Sequence, residues 1–157
     1  MEIPKESNGK ERICTMSKVF IDTNILIYSM DKNDPEKMNR SRSLLKKLKD
    51  ALKGVISTQV LQEFYVAATK KLKVEPMVVK NILNTFENFE IVTISPEIIK
   101  DGIDCSILNK ISFWDALIVV AAGYAKCDRL WTEDLNHGQL IRGVNIINPY
   151  HPDGMDH

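Results

Sequence analysis

The sequence predicts an α/β domain: a short, mostly parallel central sheet of four to five strands, flanked by helices on both faces. Two observations carry this. Short β-branched and aromatic runs (Val19–Ile21, Val55–Ser57, "EIVTI", "DRLWT" and "VNIIN") alternate with longer segments of helical periodicity. Strands separated by helices feed a parallel sheet covered on both sides. The 157 residues suit one domain with a proper core.

The elements follow in chain order. A polar lead-in over residues 1–17 has no apolar core of the kind a secretory signal needs, and Met16 offers an alternative start. The domain is expected over 18–149, with a tail over 150–157. After the first strand, Asp34 caps a helix, Pro35 suits its first position and Gly54 its stop. Met38, Leu45, Leu48 and Leu52 form its apolar stripe, opposite Lys46, Lys47 and Lys49. Thr58 is read as the cap of a helix reaching about Leu72. A helix over Pro76–Asn88 leads to "EIVTI", and Ser95-Pro96 opens another. "ISFWDALIVVAAGYAKC" is apolar almost all round, the mark of a buried helix.

Composition narrows the function classes. Lys and Arg total 21, Asp and Glu 21, so no global charge draws the chain to a polyanion. Cys14, Cys105 and Cys127 are odd in number and lack ligand spacing, which favours reduced thiols in a cytoplasmic protein. No apolar run approaches the roughly 20 residues of a membrane span, so no membrane partner is expected.

Four acids stand out. Asp22 ends the first strand, where open α/β sheets bind ligands; it also suits the N-cap of the next helix. Glu63 shares a helix column with Val60 and Ala67, although a Glu at the edge of a stripe is commonly just solvated. Asp115 heads a column of Ile118, Val119 and Ala122, and Ser112-x-x-Asp115 also reads as a capping box. Asp134 follows the "RLWTE" strand in a segment rich in turn formers. Singly, each has a structural explanation. Jointly, three of the four fall where one sheet edge would gather them, and two carboxylates ~4 Å apart repel by about 4 kcal/mol at an effective dielectric near 20. Without His or Cys among them, the fitting guest is a hard cation, Mg²⁺ or Mn²⁺, which serves phosphoryl chemistry.

"VFIDTNILIY", "STQVLQEFY", "FWDALIVVAA" and "LWTEDLNHG" together resemble, in order, the four acidic motifs of PIN-domain proteins, closest to the VapC toxins of type II toxin–antitoxin pairs. The likeness runs from Lys18 to Asn148. It implies a Mg²⁺-dependent endoribonuclease, with Asp22, Glu63, Asp115 and Asp134 as catalytic metal-site acids and Asn24 and Thr132 supporting them. Asp22 and Asp115 would ligate the principal ion, with Glu63 and Asp134 completing its water shell or holding a second. Water would attack the phosphodiester in line and leave a 5′-phosphate. Glu133 is the acid most easily confused with Asp134; the pattern favours Asp134. The resemblance further implies a VapB-like antitoxin partner and a homodimer.

An acidic pocket repels RNA, so Lys70, Lys71 and Lys73 are candidates to hold the strand. Such a cluster also suits an ordinary helix end. Trp114 and Trp131 could stack on bases, but like Tyr28, Phe64 and Tyr65 they sit in apolar segments and are read as core; His137 could serve as a general base but is read as ordering a turn. Among rivals, a haloacid-dehalogenase-type phosphatase needs a second acid where Asn24 stands. A non-catalytic binding module would be expected to have lost acids. A DNA nuclease is disfavoured by the lack of an insertion to clamp a duplex.

Overall fold

The computed structural model describes residues 18–51 and 53–154. The lead-in with Met16 and Cys14, the Leu52 position and residues 155–157 lie outside them. Strand β1 (Lys18–Ile21) leads through Asp22 into a short helix α1 (Thr23–Tyr28), then α2 (Pro35–Ala51), β2 (Gly54–Ser57), α3 (Thr58–Lys70) and α4 (Pro76–Thr85). A 3₁₀ turn (Phe86–Asn88) precedes β3 (Glu90–Val92), α5 (Pro96–Asn109), α6 (Phe113–Tyr124) and β4 (Cys127–Trp131). The hairpin of β5 (Leu140–Ile141) and β6 (Val144–Ile147) ends the sheet.

Six strands pair in the order β3-β2-β1-β4-β6-β5. All neighbours are parallel except β5 and β6. The expected class holds, and the count rises from four to five strands to six. The added strand is the two-residue β5, too short for any periodic signal. Arg142 (φ 50°) and Gly143 (φ 81°) make its turn, two left-handed residues matching the twist of a tight hairpin.

Val19, Phe20 and Ile21 are all essentially buried, although successive strand residues face opposite sides of the sheet. Both faces of β1 are therefore covered, as are those of β2. Helix α6 supplies much of that cover, with Ala116 to Ala122 buried without interruption. Among the described residues no single helix is long and apolar enough to cross a membrane.

Several local expectations shift by a residue or two. Asp34 caps α2, accepting from Lys37 N–H at 3.1 Å, and Ser95 caps α5 through Ile98 N–H. Helix α3, however, is capped by Ser57 rather than Thr58, and ends at Lys70. Thr58 Oγ1 instead accepts from Ile94 N–H. Gly54 opens β2 rather than merely stopping α2, and a side chain is excluded there because a Cβ would lie 2.6 Å from the Phe89 ring. In α2 the buried positions are Ser41, Leu44 and Leu48; Met38 and Leu45 lie at the edge of that stripe.

Aromatic placement departs further from expectation. Phe64 and Trp131 are core. Tyr65 is 41 % exposed and Trp114 63 % exposed, while Tyr28 lies half-buried at a cleft. Sequence alone could not separate a residue inside an apolar helix from one on its outer turn.

Candidate active site

Because β2, β1 and β4 are parallel neighbours, the segments that follow them leave the sheet at one edge. Asp22 follows β1, α3 follows β2, and Thr132 to Asp134 follow β4. A cleft of about 450 Å³ opens there, lined by Asp22, Asn24, Glu63, Lys71, Glu133 and Asp134 among others.

Asp22 is at its floor, 4 % exposed. One carboxylate oxygen accepts from Thr23 N–H at 2.7 Å, the capping bond of α1; the other accepts from Thr132 Oγ1–H at 2.7 Å. Thr132 Oγ1 in turn accepts from Asp134 N–H at 3.0 Å. One buried hydroxyl thus fixes Asp22 and the backbone of Asp134 together. The next two residues reach the other acids. Thr23 Oγ1 donates to Glu63 Oε2 at 2.9 Å, and Asn24 Nδ2 donates to Asp134 Oδ2 at 3.1 Å. The tripeptide Asp22-Thr23-Asn24 therefore ties three acids, far apart in the chain, to one wall.

Gln59, one helical turn before Glu63, donates from Nε2 to Glu63 Oε1 at 2.8 Å and to the Trp114 carbonyl at 3.1 Å. That links α3 to the first turn of α6, where Asp115 stands half-buried. Ser112 Oγ accepts from Asp115 N–H at 3.1 Å, the serine half of the capping box read from sequence. Asp115 is outside the cleft lining, yet near enough for its charge to act on Asp134.

The electrostatics follow from burial. Loss of hydration pushes the Asp22 carboxyl up to about 7, against the bonds from Thr132 and Thr23, and the charges of Asp134 and Glu63 push the same way. Asp134 is raised too, first by partial burial and then by Asp115 and Glu133, with Asn24 and Lys71 opposing.

Glu133 has a different fate from Asp134. Its carboxylate accepts from Lys37 Nζ and from Tyr28 OH, each at 2.6 Å. The Lys37 ammonium lies 4.4 Å from the Tyr28 ring centroid and 5.0 Å from that of Tyr150. Burial would lower the Lys37 pKa, but the bonds to Glu133 and Tyr28 outweigh it and hold the group charged. Glu133 is thus neutralised in place, whereas Asp134 bonds only to a neutral amide. Sequence reasoning missed Lys37, Thr23 and Gln59; none has local patterning that sets it apart.

Among the described residues, no group of three or more His, Cys, Asp or Glu side chains stands ready to hold one ion. The donor set nonetheless fits a hard divalent cation. The donors are all oxygen, Asp22 is buried without a countercharge, and Asn24 Oδ1 is buried with no hydrogen-bond partner. Mg²⁺ keeps several waters and binds through only one or two carboxylates plus substrate phosphates, so a full protein cage is not required.

Of the lysines considered, Lys71 lines the cleft; Lys70 and Lys73 are exposed at the same helix end. His137 Nδ1 accepts from Asn148 N–H at 3.0 Å and its ring stacks on His151, consistent with a turn-ordering role.

A family model described as PIN domain matches residues 19–141. No curated protein sequence matches the chain. Among solved structures, the fold is similar to a toxin–antitoxin complex from Klebsiella pneumoniae, at 23 % identity and TM-score 0.62, covering 85 % of this chain and 98 % of that one. It is similar to the Mycobacterium tuberculosis toxin VapC20, described as cleaving the sarcin–ricin loop, at 13 % identity and TM-score 0.61 over 74 % and 90 %. DNA-bound VapBC from Salmonella typhimurium is a third, at 23 % identity and TM-score 0.60 over 83 % and 97 %.

Proposed function

Because the chain belongs to the PIN-domain family, its residues 19–141 matching that model, we propose that it is a divalent-metal-dependent endoribonuclease acting as the toxin of a type II toxin–antitoxin pair. The observation that carries this is the tie between Asp22-Thr23-Asn24 and the acids Glu63 and Asp134 at one sheet edge. The VapC and VapBC structures that share the fold support the toxin reading.

In this reading Asp22 and Asp115 hold a Mg²⁺ or Mn²⁺ ion, and Glu63 and Asp134 complete its water shell or hold a second. The ion, when bound, supplies an acidified water and neutralises charge on the phosphate. The chain itself does the positioning. Thr132 and the Thr23 amide fix both oxygens of Asp22, and Gln59 and Thr23 fix both oxygens of Glu63. Asn24 orients Asp134. Lys71, at the cleft, and Lys70 and Lys73, beside it, offset the repulsion between RNA phosphates and the acids. The Glu133–Lys37 pairing supports Asp134 rather than Glu133 as the fourth acid.

The protein partner in this reading is a VapB-like antitoxin that covers the cleft, with an Arg placed among the carboxylates; the toxin itself is a cytoplasmic homodimer. RNA cleavage measured with and without EDTA, for wild type, Asp22→Asn and Asp115→Asn, tests the enzyme. Activity should vanish in EDTA and in both variants; persistence in EDTA or in both variants removes the mechanism. Co-expression with the neighbouring small open reading frame should suppress toxicity and yield a copurifying complex.

A further inference from the structure

Trp114 is the feature that the proposed chemistry does not use. It is 63 % exposed, whereas the other tryptophan, Trp131, is 3 % exposed. Leaving an indole in water forgoes one of the largest apolar burials available to a side chain. The indole has one aromatic neighbour among the described residues. The ring of Phe113, itself packed against the core, meets it at 60° with centroids 5.3 Å apart.

Its place in the fold is specific. The Gln59 side chain that bonds Glu63 also bonds the Trp114 carbonyl, so the Trp114 backbone is held one amide away from a cleft acid. Gln59, Glu63, Ala67 and Lys71 recur every four residues and follow one inclined ridge along α3 into its C-cap. The last three line the cleft. From Gln59 to Lys71 that face advances about 18 Å at 1.5 Å per residue. Trp114 therefore stands beyond the Gln59 end of a track that passes Glu63 and reaches Lys71 at the other end. The exposed Lys110 lies in the turn between α5 and α6, four residues before Trp114 in the first turn of α6. Neither Lys71 nor Lys110 is in a salt bridge among the described residues.

Resting on the ribonuclease reading, we infer that Trp114 is a base-stacking platform for single-stranded RNA, setting which nucleotide lies over the carboxylates. A cationic lysine at one end of the track and an exposed aromatic residue beyond the other match what an unpaired strand offers: phosphates along its length and an exposed base. Duplex RNA keeps its bases stacked on each other and offers the indole none. The substrate class is therefore RNA with an unpaired base beside the cleaved bond.

The test uses the full-length protein and a fluorescently labelled single-stranded RNA of mixed sequence. Trp114→Ala should raise KM about tenfold with kcat changed less than about twofold, as expected for the loss of one base–aromatic contact. Trp114→Phe should restore most of the affinity. The melting temperature should be unchanged in both, because the side chain is exposed. In the non-cleaving Asp22→Asn background, RNA should quench the tryptophan emission, and adding Trp114→Phe should abolish that response, leaving the buried Trp131 silent. An unchanged KM in Trp114→Ala, or quenching that survives Trp114→Phe, overturns the inference. So does an Ala variant that alters sedimentation with KM intact, which would make Trp114 a protein-interface residue. Wild type that binds RNA with Trp114 quenching but cleaves nothing refutes the nuclease and keeps the platform; wild type that neither binds nor cleaves RNA refutes both.

Discussion

Asp22→Asn should stabilise the metal-free protein, and by an amount that depends on pH. The Asp22 carboxyl is raised from 3.8 to about 7, chiefly by burial. A group whose folded pKa is raised contributes stability fully present below its unfolded pKa and lost as pH rises through the folded value. A shift of about three units corresponds to about 4 kcal/mol, of which roughly 2–3 kcal/mol falls between pH 5 and pH 8. Asn keeps the size and the bond from Thr23 N–H, and its amide can donate to Thr132 Oγ1. It sheds the buried charge. In EDTA, Asp22→Asn should therefore melt about 8–16 °C above wild type near pH 8, with the gap closing by about 5–10 °C near pH 5, at 2–4 °C per kcal/mol for a chain of this size. Thermal melts at several pH values, followed by circular dichroism, read this directly. Mg²⁺ should raise the wild-type melting temperature and leave the variant nearly unmoved. A melting difference that does not vary with pH would mean that Asp22 is not a carboxylate strained by burial, and the electrostatic account of the site would fail.

Other perturbations probe the frame around the site. Lys37→Met removes the 2.6 Å pairing with Glu133 and the contacts with two tyrosine rings. With both partners about one-third exposed, the loss should be about 1–2 kcal/mol, seen as a lower urea midpoint. In wild type, high salt should reproduce only part of it. Phe64→Ala empties a fully buried position packed edge-on against Phe86 and should cost about 3–5 kcal/mol in denaturant unfolding. Gly54→Ala drives a methyl into the Phe89 ring, 2.6 Å away, and should cost about 1–3 kcal/mol; a neutral result would mean that the ring is free to move aside.

The sequence by itself determined the α/β class, five of the six strands and most helix starts, and it marked Asp22, Glu63, Asp115 and Asp134 as candidates. These are local properties. β-branched runs, 3.6-residue periodicity and capping residues such as Asp34, Ser95 and Ser112 act over a few positions and can be read there. Tertiary structure decided the rest, because its causes lie between residues distant in sequence. Thr23 meets Glu63 across 40 positions, Lys37 meets Glu133 across 96, and Asn24 meets Asp134 across 110. No local pattern marks Thr23 or Gln59 as holding an acid, or separates the neutralised Glu133 from the less constrained Asp134. Nor does an apolar segment disclose that Trp114 faces water while Trp131 is sealed: exposure depends on which other elements pack against a helix turn, and parallel pairing of strands far apart in the chain settles that.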